Sequence, residues 1–292
     1  MQKIYKDYRA IIVLLAPALF FYLVFCLLPI FESFFISLFR WNIMNEKTWV
    51  GLQNYIDMLS DDVLIRSVKN LFILLIVDIV FSIPIAFMLA WLLTLGLTGT
   101  KAVRSLMYIP NLLSTVAVGT LWVYMYHQQY GIVNRILALF HIEMKTSLLA
   151  NAFTVLPAIG FVMAWQHIGF YILLYMVGIQ NIPSDVSDSA RIDGVSQWQK
   201  IRYITLPMMR PVISVSLILL ATGAFKSFDY VFVLTKGGPN RASEVLSSYM
   251  YDVGFLQMNL GYAAAMGFLL FIMCFLVIKL ISLFEPKEEI QY

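Results

Sequence analysis

The sequence predicts an all-α integral membrane protein with six transmembrane helices, and three observations lead there. Of its 292 residues 61% are hydrophobic and only 13% charged, where a soluble domain carries roughly 25% charge. The mean hydropathy is +0.81. That much apolar side chain cannot be enclosed in one soluble core, so the surface itself is apolar and the solvent is lipid. Finally, six segments, near 11–34, 71–95, 106–126, 153–179, 212–234 and 261–284, can hold the roughly 20 apolar residues that a crossing requires.

Each segment follows from its own composition and flanks. The first comes after Lys3, Lys6 and Arg9, as a secretory signal would. It is too long for such a signal's apolar region and lacks a small-x-small cleavage site, so it reads as a retained helix. Pro17, Pro29, Pro84 and Pro110 fall in or at the ends of predicted helices, where a missing N–H bends the chain. Net charge is +3 with no basic run, which argues against a nucleic-acid partner. Cys26 and Cys274 both sit inside apolar runs, so no disulfide framework is implied.

Loop charge gives an orientation. With the N-terminus inside, the inner segments carry Lys3, Lys6, Arg9, Lys101, Arg104, Arg191, Lys200, Arg202, Arg210 and Lys287. The outer ones carry Arg40, Lys47, Arg66, Lys69, Arg135, Lys145, Lys236 and Arg241. The outer loops are longer, so basic density is higher inside, which places both termini and the loop between helices four and five in the cytoplasm.

That loop is the most informative stretch: "SARIDGVSQWQKIRYITLPMMRP" at 189–211. Pro183-Ser184-Asp185 reads as a helix start, with a side-chain oxygen available to cap free N–H groups. Val186 and Ala190, four apart, give a short helix one apolar face, and Gly194 supplies the left-handed residue that ends it. Ser196 and Gln199 have capping-box spacing. Trp198, Ile201 and Ile204 line one face of a second helix that Pro207 should terminate. Spacing alone allows a knob for a partner protein or an amphipathic hairpin lying on the membrane surface.

"DSARIDGVSQWQKIRYITLP" resembles the EAA loop of ABC importer permeases: Glu-Ala-Ala, three residues, Gly, nine residues, Ile-x-Leu-Pro. Asp188, Ser189 and Ala190 stand at the first three positions, Gly194 at the glycine, and Ile204, Leu206 and Pro207 at the end. Asp for Glu and Ser for Ala are mild departures. "LLAPALFFYLVFCLLPIFESFFISLFRWN", "WVGLQNYIDMLSDDV" and "FVLTKGGPNRASEVLSSYMYDVGF" resemble successive stretches of the carbohydrate-uptake branch, in order, in its MalF- and UgpA-type subunits. "FEPKEEIQY" at the end lacks the tail associated with MalG-type subunits.

The resemblance implies a type I ABC importer (MetI-like) permease fold, one transmembrane domain over 1–292 with a cytoplasmic coupling loop at 184–207. It implies half of a translocation pathway for a sugar or oligosaccharide in the cell membrane. It also implies three kinds of partner: a MalG-like permease, two ATP-binding subunits and an extracellular solute-binding protein. Asp188, Ser189, Ala190, Gly194, Trp198, Ile204, Leu206 and Pro207 would couple to the ATPase. No GxxxxGK[ST] occurs in the sequence, so ATP and Mg belong to another chain and no cofactor is expected on this one. "TKGGPN" at 235–240 is Gly-rich but reads as a turn.

Charges inside membrane helices cost about 2.5–3.5 kcal/mol each on insertion scales, so each needs a reason. Asp78 stands in helix two, and Lys226 and Asp229 in helix five. Lys226 and Asp229, three apart, have the spacing of a buried ion pair. Alternatively "GAFKSFDY" lines the pathway, as the resemblance implies. Phe225 and Phe228 would then stack on sugar rings, Lys226 and Ser227 would hydrogen-bond, and Asp229 would lie beside them. A lysine there raises the expectation of an acidic sugar. In helix four, Gln166, His167, Gly169 and Tyr171 ("AWQHIGFY") suit sugar hydroxyls and a close ligand approach, or interhelical bonding and packing. No Cys/His spacing supports a metal site.

A different class of function, an ion-coupled secondary transporter, would use Asp78, Lys226 and Asp229 as a relay. It leaves the EAA-like loop unexplained, and no internal repeat of the kind found in many such carriers is evident. An intramembrane enzyme would need a clustered acid, base or metal constellation, and none is evident.

Overall fold

The computed structural model describes residues 8–96, 98–141 and 146–283. Lys3, Lys6, Lys145, Lys287 and the tail "FEPKEEIQY" from its first residue lie outside the described residues. The described chain divides into two compact units. One runs to Asp62 and takes in Tyr249–Ile272; the other is Val63–Ser248 with the residues from Met273 onward.

In chain order the helices are α1 (Tyr8–Tyr22), α2 (Leu28–Ser37), α3 (Gln53–Met58), α4 (Asp62–Thr94), α5 (Thr100–Tyr108), α6 (Thr115–Met125), α7 (Ile132–Leu139) and α8 (Val155–Gln180). They continue with α9 (Ser184–Ile192), α10 (Gln197–Lys200), α11 (Leu206–Met208), α12 (Arg210–Phe225), α13 (Phe228–Leu234), α14 (Leu246–Tyr251) and α15 (Leu260–Ser282). Strands β1 (Phe39–Arg40) and β2 (Thr48–Trp49) form one antiparallel pair, Phe39 opposite Trp49.

Four helical stretches among the described residues are long and apolar enough to cross a membrane unbroken: Ile11–Ser37, Asp62–Thr94, Val155–Gln180 and Leu260–Leu283. They correspond to predicted segments one, two, four and six. The third and fifth differ from expectation. Segment 106–126 is not one helix. Thr100–Leu112 meets Thr115–Met125 at 101°, and Ser114 caps the new helix by accepting the Ala117 N–H at 3.2 Å. Segment 212–234 is α12 and α13 separated at Lys226 and Ser227.

Two π-helical turns have a common cause. Leu23–Leu27 and Ile201–Thr205 each end just before an X-Pro step, Leu28-Pro29 and Leu206-Pro207. Proline offers no N–H to the carbonyl four residues back, so the ladder slips to the next spacing. Leu28 N–H reaches Leu23 O and Leu206 N–H reaches Ile201 O. Pro207 therefore does not terminate the hairpin's second helix as expected. It stands in the first turn of α11, and the break comes after Met208, where Gln197–Met208 and Arg210–Phe225 diverge by 67°.

Three packed centres lie among the described residues of the larger unit. Leu74 of α4, Val118 and Trp122 of α6, Val155, Ile159 and Val162 of α8, and Tyr230 and Val231 of α13 form one. Ala86 and Ala90, Tyr171, Ile172 and Tyr175, Met209 and Leu220 form a second. Leu75, Ala221 and Ala224 form a third, against Val277 and Ile281. In the other unit Asp61 accepts hydroxyl protons from Tyr249 and Tyr262 at 2.9 and 2.8 Å. Asn54 donates to the Ser37 carbonyl at the end of α2 and to the Phe39 carbonyl of β1, at 2.7 and 2.9 Å. Tyr55 meets Ser37 Oγ at 2.6 Å, and burial raises its phenol above the ordinary value.

Candidate functional site

The hairpin is assembled from short-range chemistry. Gly194 has φ +71°, and around it the Val195 N–H reaches Ala190 O at 3.0 Å and the Gly194 N–H reaches Arg191 O at 3.2 Å. This is a complete Schellman motif, which satisfies carbonyls that the end of α9 would otherwise leave bare. Two residues on, Ser196 Oγ accepts the Gln199 N–H at 3.3 Å while Gln199 Oε1 accepts the Ser196 N–H at 2.9 Å, so the expected capping box is formed.

At the other end, Ser184 and Asp185 make no side-chain cap, because the N-cap position falls one residue earlier, on Pro183. The apolar face is also divided. Trp198 is 70% exposed, together with Ile192 and Tyr203, whereas Ile201 and Ile204 are half-buried and Ala190 is buried. Asp188, Ser189, Gly194 and Pro207 are exposed, and Leu206 is half-buried. A rigid, capped hairpin therefore presents an indole to its surroundings.

The polar residues of α8 turn inward. Gln166, 2% exposed, donates from Nε2 to Leu113 O at 3.0 Å and accepts the Tyr230 hydroxyl proton at Oε1, 2.6 Å away. His167 Nε2 lies 3.0 Å from that hydroxyl and Nδ1 lies 2.8 Å from Asn111 Oδ1. Since Tyr230 gives its proton to Gln166, Nε2 is the donor in its own contact. Turning the Asn111 amide by 180°, which leaves its shape unchanged, then provides the donor that Nδ1 needs. The network joins α8 and α13 to the corner that opens α6. Of the two alternatives for Gln166 and His167, interhelical bonding is what the described chain makes.

Gly169 serves the same corner. A Cβ there would fall on Met107 O, and lie 2.7 Å from both the Met107 carbonyl carbon and Tyr108 Cα. The close approach its lack of a side chain permits is that of the α5 backbone. Tyr171 is buried in the second packed centre. Asn111 and Tyr230 complete the network, and neither is singled out by sequence reasoning. Asn111 was visible only as a polar residue in an apolar run, and Tyr230 as the last residue of "GAFKSFDY".

At the α12–α13 break the residues separate by exposure. Phe225 is buried edge-to-face against Phe72, and Phe228 is half-buried, stacked on Phe232. Lys226 and Asp229 are both exposed, and the ion pair their spacing suggested does not form. The break sets them on a turn and a new helix rather than on one continuous helix face. Ser227 is fully buried, and among the described residues its hydroxyl has no hydrogen-bond partner. Asp78 is buried and accepts from Ser82 of its own helix at 2.8 Å, so the three charges proposed as an ion relay are not brought into contact. Among the described residues no group of three or more His, Cys, Asp and Glu could hold a metal ion.

Straight spans combined with bent ones and a capped helix–glycine–helix hairpin are the architecture of an ABC importer permease. Residues 63–289 match the family described as binding-protein-dependent transport system inner membrane component, and this chain belongs to it. It is similar to the probable ABC transporter permease protein YurN of Bacillus subtilis (strain 168), with 34% identity over 87% of this chain and 88% of that one. It is also similar to the trehalose/maltose transport system permease protein MalF of Thermococcus litoralis, with 31% identity over 92% of this chain and 91% of that one. Its fold is similar to that in the crystal structure of a bacterial ABC transporter involved in the import of the acidic polysaccharide alginate. The TM-score is 0.80, with 24% identity and 96% of each chain covered.

Proposed function

We propose that this chain is one permease half of an ATP-driven importer for a sugar or oligosaccharide, working as a single transmembrane domain over 1–292. Its partners are a MalG-like permease, two ATP-binding subunits and an extracellular solute-binding protein. Residues 184–207 form the cytoplasmic coupling hairpin, both termini are cytoplasmic, and ATP and Mg bind only to the ATPase. The observation that carries this reading is the hairpin itself. Its backbone is fixed at both ends of the Gly194–Ser196 turn, while Trp198 is left outside. An element so stiffened transmits displacement, and an exposed indole suits a desolvated pocket on a partner.

Purification in mild detergent with the co-produced subunits tests the assignment. Wild type retains the ATP-binding subunit, and Trp198→Glu reduces its recovery by about tenfold or more, the loss typical of an aromatic anchor. Equal recovery would overturn the docking role. Uptake of any saccharide by this chain alone, driven by an ion gradient, would overturn the importer reading.

The pathway in this proposal passes the α12–α13 break. Broken membrane helices present backbone and side-chain polar groups at mid-membrane depth without a continuous helix to satisfy them. The unpartnered Ser227 hydroxyl and the exposed Lys226 stand there. Since Asp229 does not pair with Lys226, the ammonium is available to a carboxylate on the sugar, and a transporter whose fold this chain shares is involved in the import of an acidic polysaccharide. Lys226→Met should cut uptake of an alginate oligosaccharide by about tenfold or more while maltotriose uptake changes about twofold or less, a charge-assisted bond being the difference. Equal loss for both would remove the acidic-sugar reading.

A further inference from the structure

A cleft of about 460 Å³ lies within the smaller unit, walled by Arg40, Asn42, Asn45, Glu46, Thr48, Gln257 and Asn259. Every lining side chain carries a hydrogen-bonding group, which is unusual in a chain so apolar. Two segments far apart in sequence build it. The turn from β1 to β2 supplies Arg40–Thr48, and the segment between a π-helical turn (Asp252–Leu256) and α15 supplies Gln257 and Asn259. They are tied together by an antiparallel bridge between Asn42 and Asn259 and by the Ile43 N–H to Met258 O bond at 3.4 Å. Met258 itself has φ +60°, a conformation that side chains other than Gly and Asn rarely adopt and that collects at functional sites.

Three of the amide side chains are held, not loose. Asn42 Oδ1 accepts the Met44 N–H at 3.3 Å and Asn259 Oδ1 accepts the Tyr262 N–H at 3.4 Å. Each amide is thereby oriented with its Nδ2 hydrogens unused among the described residues. Gln257 Nε2 donates to Asp252 Oδ2 at 3.1 Å, which leaves Gln257 Oε1 as an acceptor. Arg40 and Glu46 share the cleft without forming an ion pair. Two oriented amide donors, a guanidinium, a carboxylate and an amide oxygen make a mixed donor and acceptor set. Such a set is wrong for a simple anion, and one carboxylate does not hold a cation. It matches a ligand in which every group both donates and accepts, as a sugar hydroxyl does. Volume is within the roughly 300–1,000 Å³ of small-molecule sites.

We propose that this cleft is a saccharide subsite, built from residues other than those of the α12–α13 break, that binds one end of an oligosaccharide. The inference rests on the saccharide reading of the substrate above. The probes are maltotetraose, diacetylchitobiose and an alginate pentasaccharide, each added to the assembled importer without its solute-binding protein. Saturation-transfer NMR reports contact with the sugar protons. Asn42→Ala and Asn259→Ala remove the donors but also the oxygens that hold the backbone. Asn42→Asp and Asn259→Asp keep those oxygens and replace the donors by carboxylate oxygens, so the neutral probes, maltotetraose and diacetylchitobiose, are the ones that report loss of the donors free of charge repulsion.

At least one probe should show transfer, and the double aspartate variant should weaken that probe's binding by about tenfold while leaving docking of the sugar-free binding protein unchanged. Unchanged transfer in both double variants overturns the subsite. So does loss of binding-protein docking with sugar contact intact, which would make the cleft a protein contact. If the importer takes up a saccharide but these variants bind and transport as wild type, only the subsite falls. If no saccharide is taken up at all, the functional reading falls with it.

Discussion

Replacing Gly194 with valine will lower ATP-binding-subunit recovery and sugar uptake by about tenfold or more, and replacing it with asparagine will restore most of both. The two outcomes together isolate the cause. A Cβ built at Gly194 has nothing within 4 Å, so no clash is involved and the cost is conformational. At φ +71° an L-residue pays about 1–2 kcal/mol, and β-branching adds to it. Asparagine tolerates the left-handed region and is the usual second choice at this position. If valine leaves the turn, the Ala190 and Arg191 carbonyls lose the N–H groups of Val195 and Gly194, and α9 is no longer held at a set angle to α10. About 1.4 kcal/mol is tenfold in an equilibrium, so even the lower part of that range is visible in a recovery assay. Valine indistinguishable from wild type, or asparagine as poor as valine, would show that coupling does not depend on the left-handed turn.

This turn was legible in the sequence because it is written in adjacent residues. Gly194, Ser196 and Gln199 specify their partners within six positions, and no tertiary context is needed. Four of the six spans were legible for a similar reason, since apolar length alone decides a straight crossing. The corner within 106–126 and the break within 212–234 were not. Hydropathy is blind to direction, and 106–126 is equally apolar on both sides of its corner. Local hints were present: Pro110 cannot donate, and Ser114 sits where a helix can be capped. Similarly Lys226 and Ser227 interrupt an apolar run at the place where α12 stops. The destinations of Gln166 and His167 could not be read, because their partners Asn111, Leu113 and Tyr230 are 53 to 64 residues away. The polar cleft is hidden for the same reason, with its two walls more than two hundred positions apart.

A large loss of stability should come from Gly169→Ala, a change of one methyl group. The added Cβ meets the Met107 carbonyl and Tyr108 Cα, which are backbone atoms of α5 and have no rotamer with which to yield. The two helices must separate, and overpacking of this kind costs about 1–3 kcal/mol. Separation also strains the bonds one turn away, Gln166 to Leu113 O and His167 to Asn111, each worth about 0.5–1.5 kcal/mol net. Those bonds fix the corner from which α6 departs at 101°, so the damage extends from packing to the shape of the third span. The unfolding midpoint in detergent should fall by about 5–10 °C, taking 2–4 °C per kcal/mol for a chain of this order of size, and uptake should fall with it. Gly223→Ala is the matched control for stability. It also lies within a membrane helix, but nothing stands within 4 Å of its Cβ, so alanine should leave the midpoint unchanged or raise it slightly, as helix propensity favours alanine by up to about 1 kcal/mol. A Gly169→Ala midpoint equal to that of Gly223→Ala would mean that α5 does not press on α8 as closely as these positions require, and that the corner is held by something other than this contact.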